Sequence, residues 1–194
     1  MGNLADALID SGRYAEAILR AQASVKIGEE IGDPVIGCDH NRSLALAHFT
    51  SDNLPAAREA ATAARQYDAP HYLHAALVLL GVITLRQGDK PAAQEAFSAA
   101  AAQAESLLAQ TPQFLSALDS KGLALCGLAV GSANEFAAPA RNQRIDEARA
   151  AFIAARAINK EAGIVGRVLR LFDALALMDT GGVLAGVRTT IAAA

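Results

Sequence analysis

Aromatic residues are scarce in this chain: tryptophan is absent, and the three tyrosines and six phenylalanines make up 5% of 194 residues. Strands are usually rich in aromatic and β-branched side chains, so this scarcity argues against a β protein. Alanine, in contrast, occurs 46 times. Because alanine has the highest helix propensity of all residues, the composition predicts an all-α protein with closely packed helices.

An excess of positive charge is also missing, since 17 basic and 20 acidic residues give a formal net charge of −3. Without a basic patch that neutralises phosphates, nucleic acid is not expected as a partner. The longest apolar run, AALVLLGVITL at 75–85, is too short to cross a bilayer, and the chain does not open on a secretion signal. We therefore expect a cytoplasmic protein that does not enter a membrane.

Side chains suited to catalysis or metal binding are few. Cys38 and Cys126 are far apart in sequence, which favours buried free thiols over a disulfide framework. His71 and His74 lie one helical turn apart, but no neighbouring cysteine or carboxylate completes a metal-ligand set. Phosphate-binding glycine loops and hydrolase motifs are absent, so we expect no cofactor and no enzymatic activity. A helical active site around the two histidines is a less favoured alternative.

A helical segment recurs four times along the chain. In each copy an alanine is followed four positions later by a small or aromatic residue, and three positions after that by a small residue. Spacings of four and three place these residues on one helix face, where small side chains allow another helix to approach closely. The segments are 12–25, 52–65, 88–101 and 143–156, with recurring residues Ala17, Ala21 and Ser24; Ala57, Ala61 and Ala64; Ala93, Phe97 and Ala100; and Ala148, Phe152 and Ala155.

A second helix is expected before each of the first three segments. The pairs Leu4-Ala5, Leu44-Ala45 and Leu80-Gly81 stand at the same distance ahead of the turn that opens the segment. The repeating unit is therefore a hairpin of helix A, a short turn and helix B. Its small helix-A residues should pack against the alanine-rich face of helix B.

This hairpin resembles the tetratricopeptide repeat (TPR). GRYAEA at 12–17 and GDKPAAQEAFSAA at 88–100 match the family's turn and helix B. The family's helix-A tryptophan is absent, and the alanine columns are separated by 40, 36 and 55 residues, whereas the plain repeat has about 34. The longer form is similar to repeats of kinesin light chains and of bacterial signal-transducing ATPase regulators. The resemblance implies a right-handed α-solenoid that binds a protein or peptide within a bacterial signalling or regulatory protein.

The whole chain, 1–194, is interpreted as one TPR-like array. Gly32-Asp33-Pro34 should end the first helix B after about two extra turns, because proline cannot continue a helix. The stretch GSANEFAAPARNQ at 131–143 is expected to be a surface loop inserted into the fourth hairpin. Neither end has a clear polar capping helix, so we expect a fragment of a longer chain. The expected units are about 1–34, 35–69, 70–111, 112–164 and a degenerate or capping unit at 165–194.

The resemblance also implies where a partner binds, because helix A lines the concave groove of a TPR array. The carboxylate clamp of chaperone-binding members is not reproduced, since Asp6 and Leu46 stand where its asparagines would be. The groove positions instead combine acidic, basic and apolar side chains. The expected partner-binding residues are Asn3, Asp6, Asp10, Asp39, Arg42, Leu46, Phe49, Val78, Val82, Leu85, Arg86 and Asp119.

The third helix A, YLHAALVLLGVITLR at 72–86, is apolar on every side and must therefore be covered on every side. In one interpretation, other parts of the chain bury it. In the other, it forms the floor of a groove for an apolar peptide or amphipathic helix, which requires that Val78 and Val82 be accessible to solvent. Self-association through the groove or the chain ends is a further alternative, with a homo-oligomer as its product.

Overall fold

The computed structural model describes residues 2–131 and 138–192, with side chains from Leu4 onwards. All secondary-structure elements formed by these residues are α-helices, and none is a strand. This confirms the predicted all-α class. The described helices are α1 (Gly2–Asp10), α2 (Tyr14–Ile31), α3 (Pro34–Thr50), α4 (Leu54–Ala64), α5 (Pro70–Arg86), α6 (Lys90–Gln110), α7 (Leu115–Gly131), α8 (Ala138–Ile158), α9 (Ala162–Ala176) and α10 (Val187–Ala192).

The turn after α2 forms as its sequence predicts. Gly32 ends α2 in a left-handed backbone conformation with φ of 71°, which glycine adopts without a steric penalty. The Asp33 side chain accepts hydrogen bonds from the backbone N–H groups of Val35 and Ile36 at 2.8 and 3.1 Å. Pro34 then begins α3, where its missing N–H has no helical partner to lose. The boundary between the first two hairpins is therefore encoded locally.

Helices α1 to α8 pack against each other in sequence order. Because the connections between α1 and α7 are short, neighbouring helices there run antiparallel. The odd-numbered helices also pack in a row, with α1 on α3, α3 on α5 and α5 on α7. Helix α5 consequently has neighbours on several sides, which accounts for its apolar character all round.

Glycines of helix A pack directly on aromatic rings of helix B. A Cβ atom on Gly81 of α5 would lie 2.5 Å from the ring of Phe97 on α6. A Cβ atom on Gly122 of α7 would lie 2.6 Å from the ring of Phe152 on α8. Both rings are buried. The predicted packing of small helix-A residues on the helix-B face is thereby confirmed in these two hairpins.

The packing order changes at α9. Among the described helices, α9 packs on α5, α7 and α10 rather than on the preceding helix α8. The short helix α10 lies against α8 and α9. Residues 162–192 therefore do not stack as a further regular hairpin behind α8; α9 lies instead on α5 and α7.

The predicted loop at 131–143 requires a correction. Helix α8 begins at Ala138, so residues 138–143 are helical and lengthen the fourth helix B at its start. Alanine at 138 and 140 favours helix there, and Pro139 lies in the first turn, where proline is tolerated. Residues 132–137 of the predicted loop lie outside the described residues.

Candidate binding face

Helix α9 is amphipathic and lies against α5 and α7. Its buried side chains Val165, Val168, Phe172 and Leu175 follow at spacings of three and four residues and form one apolar stripe. They belong to the same hydrophobic core as apolar residues of α3, α5 and α7. On one side of the row formed by α1, α3, α5 and α7, α9 packs against α5 and α7 and pairs with α1. We call this side the odd-helix face.

Two arginines beside the apolar stripe pair with the first helix. Arg170 donates a hydrogen bond to Asp10 Oδ1 at 2.7 Å, and Arg167 donates one to Asp10 Oδ2 at 3.1 Å. Partial burial acts to raise the pKa of Asp10, but the hydrogen bonds from Arg170 and Arg167 outweigh it and lower this pKa below its ordinary value. These ion pairs join α9 to α1, at opposite ends of the described chain.

An open cleft of about 520 Å³ remains on the odd-helix face beside α9. A smaller cavity of about 80 Å³ adjoins it and lies between Val78 of α5 and Leu171 of α9. Helix α9 therefore covers one part of the face and leaves this cleft open, where charged side chains stand among a mostly apolar lining. This polar cleft, as we call it, includes Asp6, Asp39, Arg42, His71, Phe114 and Arg167.

Three predicted site residues meet in the polar cleft. Arg42 of α3 donates to Asp6 of α1 at 3.2 Å and to Asp39 on its own helix at 2.9 Å. The hydroxyl of Ser43 also donates to Asp6, at 3.1 Å. Each partner is only partly exposed, so the network fixes α1 against α3 more firmly than a fully exposed ion pair does. Of the predicted site residues, the structure thus brings Asp6, Asp39 and Arg42 together on one surface.

His74 of α5 is buried beneath the polar cleft and has partners at both ring nitrogens. Nε2 lies 3.0 Å from the carbonyl oxygen of His71, to which it must donate, and Nδ1 accepts from the Ser120 hydroxyl at 2.8 Å. Burial lowers the pKa of His74 to about 4, although its bond to the His71 carbonyl acts in the opposite direction. The Phe114 ring stands edge-on at 5.8 Å. His74 is thus a neutral residue that joins α5 to α7.

The predicted groove floor is not accessible. Val78 and Val82 expose 1% and 0% of their surface, so the interpretation that they form an open floor in the chain as it stands is wrong. The physical reason is that α5 is enclosed by α3, α4, α6 and α7, while α9 covers part of its remaining side. The alternative, burial of this helix by other parts of the chain, is the arrangement observed.

Asp119 also departs from its predicted place. It is buried, and its two carboxylate oxygens accept hydrogen bonds from Nη2 of Arg156 on α8 at 2.5 and 2.6 Å. Burial raises the pKa of Asp119 to about 6, against the opposing charge and hydrogen bonds of Arg156. A charged side chain within a closely packed hairpin needs an opposite charge, and Arg156 is the one within reach. Asp119 therefore joins α7 to α8 and does not line the odd-helix face.

The remaining predicted residues divide between core and surface. Leu46, Phe49 and Leu85 are buried and contribute to the core, which corrects their assignment to an open groove. Arg86 is exposed, pairs with Asp52 at 2.8 Å and lies 5.2 Å from the centre of the Phe49 ring. The side chain of Asn3 lies outside the described residues.

Residues 2–131 and 138–192 contain neither a cluster suited to a metal ion nor a membrane-spanning helix. There, no group of three or more histidine, cysteine, aspartate or glutamate side chains is placed to hold a metal ion. His71 and His74 instead share the contacts with Phe114 described above. No helix in this part of the chain is both long and apolar enough to cross a bilayer.

Comparison with known proteins yields no relative: no protein-family model, no curated protein and no solved structure significantly matches the chain. The geometry of the odd-helix face is therefore the basis for inferring function. Two residues of that geometry, Arg167 and Arg170, were not among the predicted site residues. The sequence contains a pattern that could have identified them. Two arginines three positions apart lie beside the apolar stripe of α9, and this spacing places them on one side of a helix.

Proposed function

We propose that this chain is a non-catalytic binding module whose odd-helix face receives an amphipathic helix from a partner protein. One observation carries the proposal: an amphipathic helix, α9, already lies on that face with its apolar stripe inward. Recognition of a helix through apolar anchors at positions i, i+3 and i+7 is a common mode of peptide binding. Helix α9 supplies such anchors at Val165, Val168 and Phe172.

Charge at the rim of the face favours a ligand of one sign. Asp10 accepts hydrogen bonds from two arginines and has a lowered pKa, so it presents a carboxylate to whatever helix occupies the face. A ligand helix with lysine or arginine beside its apolar stripe would use the same carboxylate. Rim charges of this kind set orientation and on-rate more than affinity.

The proposal also includes three more specific features of fold, location and role, which are implied by the TPR resemblance. They are a right-handed solenoid of hairpins, a cytoplasmic location and a partner-recruiting role in a bacterial signalling protein. The row of odd-numbered helices supports the first of these, because helix A of one TPR hairpin packs on helix A of the next. The signalling role depends on analogy alone.

Self-association is a second candidate, because α9 packs on α5 and α7 rather than on the helix that precedes it. The α9 of a second copy could therefore occupy this face and make the same contacts between chains, as in domain swapping. Light scattering distinguishes the two: a monomer that binds an amphipathic helix supports the main proposal, and a dimer supports self-association.

The main proposal is tested with a fluorescent peptide, EAGIVGRVLRLFDALALM, which copies residues 161–178. The receptor is the full chain with the R167A/R170A substitutions, which remove the ion pairs of its own α9 with Asp10. We expect saturable binding in fluorescence anisotropy. A peptide with glutamate at both arginine positions should bind more weakly, since it brings like charge to Asp10.

A matched pair of further substitutions identifies the site. In the R167A/R170A chain, D10A should weaken binding of the peptide about fivefold, the loss expected for two exposed ion pairs. D146A is the control, because Asp146 is an exposed acid that pairs with Arg149 on α8, away from this face. A folded R167A/R170A chain that binds neither peptide contradicts the proposal.

A further inference from the structure

The contacts between α9 and α1 are ion pairs with partly exposed side chains, which contribute little to stability. The side chains of Asp10 and Arg167 are 34% and 51% exposed, so water and salt weaken their attraction. Arg170 is partly buried but shares the same carboxylate. The charged contacts of α9 with α1 therefore determine where it docks without holding it firmly.

The sequence of α9 makes it a weak helix in isolation. Gly163 and Gly166 lie near its start, and nothing lies within 4 Å of the place where a Cβ atom would be on either residue. Packing therefore does not require glycine at these positions, although glycine is a poorer helix former than alanine. The connection that follows α9 contains Gly182 and Gly186 with φ of 65° and 76°, which gives it a turn-rich backbone. Helix α9 is thus followed by a turn-rich connection to α10.

We propose that α9 is an internal occupant of the odd-helix face, and that a partner helix binds by displacing it. This inference rests on the proposed function, since it names the ligand class and the regulation of the same site. The partner is a protein helix with apolar residues spaced as in Val165, Val168, Phe172 and Leu175. It also carries two basic residues three positions apart that replace Arg167 and Arg170 at Asp10.

Displacement has a measurable consequence for affinity. A ligand that binds only the open form has its affinity reduced by the fraction of molecules in that form. Substitutions that weaken docking of α9 raise this fraction and should strengthen binding of the 161–178 peptide. We expect the R167A/R170A chain to bind the peptide about fivefold more tightly than the wild-type chain does.

A covalent tether tests whether α9 must leave. Asp10 and Arg170 are in contact, so cysteines in a D10C/R170C chain can be joined by a short bismaleimide cross-linker. The native Cys38 and Cys126 are buried and have raised pKa values, so they should not react in the folded chain. The cross-linked chain should lose peptide binding. The same double variant capped with N-ethylmaleimide should keep it, at the reduced affinity expected without Asp10.

A second tether controls for the effect of cross-linking itself. Asp173 of α9 pairs with Arg188 of α10 at 2.9 Å, so a D173C/R188C chain can be cross-linked without fixing α9 to α1. Helix α10 packs on α8 as well as on α9, so peptide binding to this cross-linked chain requires α10 to leave α8 together with α9. This cross-linked chain should bind the peptide as its N-ethylmaleimide-capped form does. Circular dichroism establishes that every variant retains its helix content.

The outcomes separate the inference from the function on which it rests. Equal peptide binding by the cross-linked and capped D10C/R170C chains overturns displacement of α9, while the binding function stands. Failure of the folded R167A/R170A chain to bind the peptide overturns both. A dimer that forms in the R167A/R170A chain and dissociates on addition of the peptide also overturns the inference, because a second copy is then the occupant.

Discussion

Gly122 of α7 lies under the ring of Phe152, so close that a Cβ atom at this position would be 2.6 Å from the ring. Phe152 is fully buried and cannot move outward without disturbing its surroundings. Gly122→Ala should therefore destabilise the chain through overpacking, by about 1–3 kcal/mol in urea unfolding. Phe152→Leu in the same chain should recover part of the loss by making room for the added methyl group.

Gly163→Ala is the matched control for this prediction. Gly163 also lies in a helix, but nothing lies within 4 Å of a Cβ atom there. Replacement by alanine should leave stability unchanged or raise it by up to about 1 kcal/mol through helix propensity. Equal effects of the two substitutions would show that the close approach of Gly122 and Phe152 is not what requires glycine.

The hairpins could be predicted because their determinants are local. Gly32, Asp33 and Pro34 end one helix and begin the next through backbone conformation, a capping bond and a missing N–H group. The repeated small residues of helix A and helix B report close packing within one hairpin, as Gly81 and Phe97 show. Both kinds of signal act over a few residues or between adjacent helices.

The position of α9 could not be predicted in this way. Its stripe of Val165, Val168 and Phe172 is equally suited to a helix that continues the stack and to one that lies on the odd-helix face. The contact that distinguishes the two joins Asp10 to Arg167, which are 157 residues apart. For the same reason Asp119 was assigned to the groove: register gives its place on the helix, but its partner is on α8.

The buried ion pair of Asp119 and Arg156 leads to a second prediction. Arg156 exposes only 3% of its surface, and its Nε and Nη1 atoms have no partner among the described residues. Asp119→Ala would leave the guanidinium buried without a counter-charge and should cost about 3–5 kcal/mol in unfolding experiments. The D119L/R156M double variant removes both charges and should recover most of that loss. A double variant as unstable as D119A would contradict this account.

The two cysteines provide a third prediction, on chemical reactivity. Burial raises the pKa of Cys38 to about 11 and that of Cys126 to about 12, and neither side chain is exposed. Thiolate is the reactive form, so both thiols should be inert to an aromatic disulfide reagent in the folded chain at pH 8. Both should react in denaturant. Fast reaction of one equivalent without denaturant would show that one of these sites opens in the native state.

His74 gives a fourth prediction, on the pH dependence of stability. Its pKa is about 4 in the folded chain, against an ordinary value of 6.5, because burial disfavours the charged ring. Between these two values the unfolded chain binds a proton that the folded chain does not, so the free energy of unfolding rises with pH across this window. The contribution is fully present above about pH 6.5 and is lost as the pH falls to about 4, a change of about 3 kcal/mol.

His74→Asn tests this by removing the titrating group while keeping a polar side chain between the His71 carbonyl and the Ser120 hydroxyl. Urea unfolding at several pH values from 4.5 to 7 should show a shallower slope for the variant than for the wild-type chain. Other groups titrate in both proteins, so the difference in slope isolates the histidine. Parallel slopes would mean that the ring binds its proton equally in the folded and unfolded chains, which its burial and its acceptance of a hydrogen bond from a hydroxyl argue against.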